Sequence, residues 1–178
     1  MGELTDKGQC LPPLLAPVAL EPGHAVSDFS SGSDTLDDWL KRRALRNEET
    51  GASRTYVVCA GAQVVAFYCL AAGSVALATA PGRVRRNMPD PIPVMVIGRL
   101  AVHSACQGRG LGLDLLRDAV LRVRQAARIV GIRAILVHAL SEDAARFYRK
   151  AGFRPSPLDP MTLMITLADA DAALAEGT

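Results

Sequence analysis

The stretch Gln107-Gly108-Arg109-Gly110-Leu111-Gly112 constrains this chain more than any other: it follows an apolar run, Val94 to Val102, and opens a long amphipathic segment. A strand-like run, a glycine-rich turn and a helical pattern in that order place a flexible loop at a helix N-terminus. Glycines let the backbone approach a bulky anion, and the unpaired N–H groups of the helix's first turn can then point at phosphate oxygens. A dinucleotide fingerprint needs Gly-x-Gly-x-x-Gly and a mononucleotide loop ends in Gly-Lys-Ser/Thr. Here the glycines run Gly108-x-Gly110-x-Gly112 and Leu113 follows, so neither nucleotide motif is satisfied.

The chain around this loop is organised as one compact α/β (α+β) domain. At 178 residues, 49% hydrophobic and 21% charged, it is long enough to bury a full core and too apolar to be disordered. Residues 1–15 read as a flexible extension, 16–168 as the folded domain and 169–178 as a fraying, Ala- and Asp-rich tail. Ser33-Asp34 caps a helix over 34–49 whose apolar positions Leu36, Trp39, Leu40 and Ala44 share one face, with basic residues elsewhere. Arg54 to Ala60 and Gln63 to Gly73 form a hairpin through Ala60-Gly61-Ala62. A proline-rich connection, Pro81 to Pro93, leads into the strand 94–102. From Gly110 to Val130 the residues Leu113, Leu116, Val120, Val123, Ala127 and Val130 recur at helical spacing. Ile132 to Ala139 reads as a buried strand, Glu142 to Ala151 as a helix closed by Gly152, and Met161 to Leu167 as a last strand. The order is β-α-β-β-β-α-β-α-β, a mixed central sheet with helices on its faces.

Several function classes drop out. Cys10, Cys59, Cys69 and Cys106 form no CxxC pair, so no metal is expected. Glu3, Asp6 and the prolines at 12, 13 and 17 interrupt any leader, and no apolar run reaches membrane-spanning length, so a cytoplasmic protein without membrane contact is expected. Seventeen of the 20 basic residues are arginine. That bias fits phosphate recognition and fits a GC-rich genome equally; a net charge of +2 limits any nucleic-acid contact to a local patch.

With Gln107, Gly110 and Gly112 in its three places, the loop resembles the Gln/Arg-x-x-Gly-x-Gly/Ala signature of the GCN5-related N-acetyltransferase (GNAT) family. A second motif agrees: in Ser141-Glu142-Asp143-Ala144-Ala145-Arg146-Phe147-Tyr148, followed by Gly152-Phe153, the residues Ala144, Tyr148, Gly152 and Phe153 fall in the family's register. Ser141 stands where the family usually has asparagine. The resemblance implies the GNAT fold and acetyl-CoA as co-substrate, with no metal. It implies that Gln107, Gly108, Arg109, Gly110, Leu111, Gly112 and Leu113 hold the pyrophosphate, and that Leu100, Ala101, Val102, Ser141 and Ala144 line the thioester and its pantetheine arm. A backbone N–H near Leu100 to Val102 would take the oxyanion. Tyr148 is the candidate general acid: the departing thiolate, of pKa about 8.5, meets a phenol of about 10. The strand 94–102 carries no carboxylate to deprotonate an amine, which suits an α-amine, titrating near 7.7–8.0, better than a lysine near 10.4. His103 is either a base or, as for most lone strand-end histidines, a surface or structural residue.

Gly51 to Val58, Arg86 to Pro93, Gly98-Arg99-Leu100-Ala101-Val102 and Val137-His138-Ala139-Leu140 further resemble the acetyltransferase toxins of type II toxin–antitoxin systems, of the TacT kind. That likeness implies acetylation of the α-amino group of aminoacyl-tRNA and arrest of translation. It also implies a homodimer and a ribbon-helix-helix antitoxin through which operator DNA is bound. Lys41, Arg42, Arg43 and Arg46, with Arg83, Arg85 and Arg86, are the candidate tRNA-phosphate ligands. The alternatives are acetylation of a protein N-terminus or a small amine, or a non-catalytic regulator that binds nucleic acid.

Overall fold

Seven strands hydrogen-bond into one sheet in the order β1-β2-β3-β4-β5-β7-β6. The structure is a computed structural model that describes residues 12–176, so most of the extension expected over 1–15 lies outside the described residues. A two-residue β1 (Val18–Ala19) precedes a helical stretch, α1 (Asp34–Trp39) and α2 (Leu45–Thr50), joined by a π-helical turn, Leu40–Ala44. Next come β2 (Arg54–Ala60), β3 (Gln63–Val75), a short α3 (Gly82–Arg85), β4 (Ile92–Val102) and α4 (Leu111–Ala126). The chain then runs through β5 (Ala134–His138), α5 (Glu142–Lys150), β6 (Arg154–Pro155), β7 (Thr162–Thr166) and α6 (Leu167–Glu176). β4 and β5 are parallel, and every other pairing in the sheet is antiparallel.

Side-chain alternation along the strands sends apolar groups to both faces. On one face Tyr68, Leu70, Ile135 and Val137 pack under α4 and α5, against Leu115, Leu116, Ala119, Val123 and Tyr148. On the other, Val57, Val64 and Phe67 bury Phe29, Leu40 and Ala44, while Val94, Leu136 and Met164 bury Val84 of α3. Each large side chain so buried contributes about 1.5–3 kcal/mol. A polar clamp adds to this: the Tyr68 hydroxyl donates to Asp118, which also accepts from Arg122 Nε at 2.9 Å. The Arg122 guanidinium donates to the Pro17 carbonyl at 2.9 Å and lies 3.9 Å from the centroid of the Tyr56 ring, tying the first strand to α4.

Two expectations need correcting. α4 stops at Ala126 instead of reaching Val130, and its buried stripe is Leu115, Leu116, Ala119, Val120 and Val123; Leu116, Val120 and Val123 are buried as inferred, whereas Leu113 falls at the edge of the stripe and Val130 lies beyond the helix, and both are exposed. The C-terminal segment is helical as far as it is described: residues 167–176 form α6, started by Asp169 N–H donating to Thr166 Oγ1. α6 buries Ala170 and is held by Arg83–Asp169 and Arg124–Asp171 ion pairs of 2.8 and 2.9 Å. An Ala/Asp-rich composition hid an amphipathic helix whose partners come from elsewhere in the chain.

Candidate active site

Parallel pairing between β4 and β5 ends at Ile97 and Val137, while β4 continues to Val102. The unpaired length of β4 forms one wall of a cleft of 750 Å³, and the β5–α5 junction with Phe147 and Tyr148 forms the other. Leu100, Ala101, Val102, Gln107, Gly112, Ser141, Ala144 and Tyr148 all line it. The ladder alternates: His103 N–H donates to Val65 O at 2.8 Å, so Ala101 is turned to β3 as well, and the N–H groups of Leu100 and Val102 face the open edge. Two oriented donors are thereby available to a developing oxyanion.

Gly98 makes the opening sharper. Cys69 pairs with Arg99 and Leu70 with Ile97, leaving Gly98 as a bulge. A Cβ there would sit 3.1 Å from Cys69 Sγ. Burial pushes the Cys69 thiol up to about 11, against the opposing pull of the Arg99 charge and the N–H groups of Arg99 and Gly98, so it stays a neutral thiol. Tyr148, buried against Phe147 and Phe153 at 5.1 and 5.5 Å between centroids, is also pushed up, by desolvation first and by the nearby Cys69 second. Its phenol holds its proton at neutral pH, as a donor must.

The glycine loop lies at the rim. Gly108 and Gly110 have φ of +77 and +79°, with open space where a Cβ would be, and Gly110 precedes α4 with no side-chain cap. The first-turn N–H groups of α4 are therefore left for an anion. Gly108, Arg109, Gly110 and Leu111 flank the cleft without lining it. The Leu113 side chain is turned away, toward a depression beneath α6, so only its backbone N–H, in the first turn of α4, remains for the anion. Gln107 acts as a brace: its amide donates to Ser31 O at 2.8 Å and Val102 O at 2.9 Å, fixing the end of β4 to the loop before α1. Ser141 caps α5, accepting from Ala144 N–H at 3.1 Å.

His103 stands outside the cleft with both nitrogens engaged, Nδ1 accepting from Ala105 N–H at 3.1 Å and Nε2 at 3.3 Å from Asp28 O. The carboxylate in the cleft wall, Asp143, is turned to solvent and paired with Arg146 at 2.9 Å. Sequence reasoning passed over Ser31, Ser33 and Leu36, which complete the entrance, and also Arg99 and His138. The quoted motifs Gly98-Arg99-Leu100 and Val137-His138 held the last two, but not which way their side chains point.

The two basic groups are separated. Lys41, Arg42, Arg43 and Arg46 are exposed around the π turn, and Arg42 and Arg43 line a shallow groove with Trp39, Asn47 and Arg99. Arg99 belongs to both groove and cleft, its guanidinium 5.5 Å from the Trp39 ring centroid and bonded at 2.7 Å to Gly98 O. Arg83, Arg85 and Arg86 stand instead near the start of β4, about 20 Å from Gly98 by strand rise between Ile92 and Gly98. Arg83 is committed to Asp169.

The model of the acetyltransferase (GNAT) domain matches residues 51–155. A relative called tRNA-acetylating toxin, from Mycobacterium tuberculosis, is 53% identical over 161 residues, spanning 90% of this chain and 97% of its own. The chain belongs to the GNAT acetyltransferase family. Two solved structures of AtaT place this GNAT chain in closer company. AtaT complexed with acetyl-methionyl-tRNAfMet has a TM-score of 0.83 at 26% identity and covers 91% of this chain and 99% of its own. A tyrosine-to-phenylalanine mutant of the AtaT toxin, bound to the C-terminus of the antitoxin AtaR and acetyl-CoA, has a TM-score of 0.77 at 25% identity, covering 92% and 99%. Among the described residues no helix is long and apolar enough to cross a membrane, and no group of His, Cys, Asp and Glu is arranged to hold a metal ion.

Proposed function

We propose that this protein is the toxin of a type II toxin–antitoxin system, an N-acetyltransferase that moves the acetyl group of acetyl-CoA to the α-amino group of aminoacyl-tRNA and so stops translation. The observation that carries the reading is the cleft: Tyr148 on one wall, the Leu100 and Val102 N–H groups on the other, and no carboxylate aimed at an amine. The relative named for tRNA acetylation agrees with it.

Acetyl-CoA enters along the opened edge of β4, its pyrophosphate over Gly108–Gly112 and its pantetheine arm beside Ser141 and Ala144. The amine attacks the thioester carbon, the oxyanion takes the N–H groups of Leu100 and Val102, and the C–S bond breaks. Tyr148 protonates the leaving sulfur and recovers a proton from the new amide nitrogen. The basic groove of Arg42 and Arg43, with Lys41 and Arg46 beside it, holds tRNA phosphates near the cleft; Arg85 and Arg86 meet a more distant part of the tRNA. The enzyme acts in the cytoplasm as a homodimer. Its antitoxin has a ribbon-helix-helix part, through which the pair meets operator DNA.

The test is to incubate wild type and Tyr148→Phe with acetyl-CoA and charged tRNA, digest with nuclease and detect N-acetyl-aminoacyl-adenosine by mass spectrometry. Product from wild type, reduced about 10²–10⁴-fold in the variant, is expected. No product from wild type despite acetyl-CoA binding removes the tRNA reading and sends the search to N-terminal peptides and small amines.

A further inference from the structure

His138 is the last residue of β5 and its register partner on β7 is Thr162. Its Nδ1 lies 2.9 Å from Thr162 Oγ1. The single proton of that hydroxyl is spent on Asp159 Oδ2, 2.7 Å away, and Asp159 also accepts from Met161 N–H at 3.0 Å. Those two bonds hold the Asp159 carboxyl below its usual range, with a smaller pull from His138. A carboxylate only accepts, so Thr162 donates to Asp159 and accepts from His138, which puts the imidazole proton on Nδ1. In the neutral ring Nε2 then carries a lone pair. The ring forms part of the cleft wall, and the hydrogen bond found for it is the one at Nδ1.

The face matters as much as the tautomer. Along β5, Ile135 and Val137 pack on the side of α4 and α5, whereas Ala134 and Leu136 pack on the side of α3. Alternation puts His138 on the second side. Across the opening Arg99, over Trp39 of α1, lies on that side too. Tyr148 arrives from α5, on the first. The acid and His138 therefore flank the opening from opposite faces, as a leaving thiolate and an incoming amine require.

We infer that His138 Nε2 takes the proton from the attacking ammonium, and that Thr162 and Asp159 are positioning residues that fix its tautomer. This rests on the acetyl-transfer reading but not on tRNA being the acceptor. The ammonium gives one proton to Nε2 and becomes the amine; the amine attacks, and its second proton ends on the coenzyme sulfur through Tyr148. The imidazolium, still held by Thr162 through Nδ1–H, returns the Nε2 proton to solvent. The charged and titratable groups around it are Asp159 from the turn before β7, Arg99 from β4, and Tyr148 and the outward-turned Asp143 from α5.

The experiment compares wild type, His138→Gln, Asp159→Asn and Thr162→Val for kcat/KM across pH, with charged tRNA and with glycine ethyl ester as acceptors, and measures acetyl-CoA affinity for each. With the base removed the amine must arrive already deprotonated. His138→Gln is expected to lose about a hundredfold at a pH near 6 and less than about threefold near pH 9, where an α-amine is free. Acetyl-CoA affinity stays within about twofold, and Asp159→Asn and Thr162→Val show the same pH signature at smaller amplitude. A deficit independent of pH, a matching loss of acetyl-CoA binding, or no deficit at all overturns the role. A wild type active on the ester but not on charged tRNA refutes the substrate reading alone, and the pH comparison on the ester still decides His138. A wild type inactive on both refutes both.

Discussion

Replacing Gly98 with alanine puts a methyl group 3.1 Å from Cys69 Sγ, about 0.5 Å inside ordinary contact distance. Both atoms are held by the ladder between β3 and β4, so the strain falls on the bulge itself. Overpacking of this kind costs about 1–3 kcal/mol. Cys69→Ala alone deletes one buried heavy atom, costing about 1 kcal/mol by comparison with single-methyl deletions. Independent effects would place the double variant about 3 kcal/mol below wild type, whereas relief of the clash leaves it about 1 kcal/mol below, a coupling well above the usual limit of additivity. Urea unfolding followed by the fluorescence of Trp39, the single tryptophan, stacked on Phe67 at 6.0 Å, measures this cycle. At a slope of roughly 1–3 kcal/mol per M the coupling moves midpoints by about 1 M. A displaced bulge also shifts the Leu100 N–H, so Gly98→Ala is expected to lose about tenfold in kcat and Cys69→Ala to restore most of it in the double variant. Additive midpoints, or an unchanged kcat in Gly98→Ala, would refute the view that this contact sets the geometry of the oxyanion site.

Other outcomes follow from the same structure. Arg99→Gln, which removes the residue shared by groove and cleft, is expected to raise KM for charged tRNA about tenfold while acetyl-CoA affinity holds, read by steady-state kinetics and calorimetry; equal KM values would detach Arg99 from the acceptor. Gly110→Val forces a β-branched residue to a φ of +79°, and is expected to weaken acetyl-CoA binding more than it lowers kcat at saturation. Tyr68 and Tyr148 both have raised folded-state values, so their stabilisation is complete below the ordinary tyrosine value of about 10 and is lost as pH rises beyond it. Urea midpoints should fall above that pH, and less steeply in Tyr68→Phe. Asp118→Ala strands the buried Tyr68 hydroxyl and unpairs Arg122, with an expected loss of about 2–4 kcal/mol in the same assay.

Much of the scaffold was legible because its signals are local. β2 runs from Arg54 to Ala60 as its β-branched and aromatic content predicts, and α5 ends before Gly152, at φ +99°, as a glycine after a helix predicts. The glycine loop lies where a strand must become a helix, and Tyr148 reaches the cleft because its spacing from Ala144 puts both on one helix face. What escaped depends on distant partners. α6 is pinned by Arg83 and Arg124, which its own Ala/Asp composition does not announce. How far Arg83, Arg85 and Arg86 stand from the basic residues of the first helix depends on the length of β4, which residue spacing alone does not show. His138 looks like any strand-end histidine until Thr162 and Asp159, more than twenty residues on, fix which nitrogen is protonated.

The four-residue parallel seam between Val94–Ile97 and Ala134–Val137 divides the sheet into two antiparallel blocks, β1 to β4 and β5 to β7. The seam joins residues about forty positions apart, as β1 and β2 nearly do, but among the described strands it is the parallel pairing, the less stable kind per residue, and it rests on four registered pairs. It is the natural fault line of the molecule, and whatever occupies the cleft spans it just where its hydrogen bonds run out. A bound co-substrate therefore acts as a cross-tie between two cooperative units, and its arrival should be felt in the amides of Leu136 and Val137 as slowed hydrogen exchange, before any acetyl group is transferred.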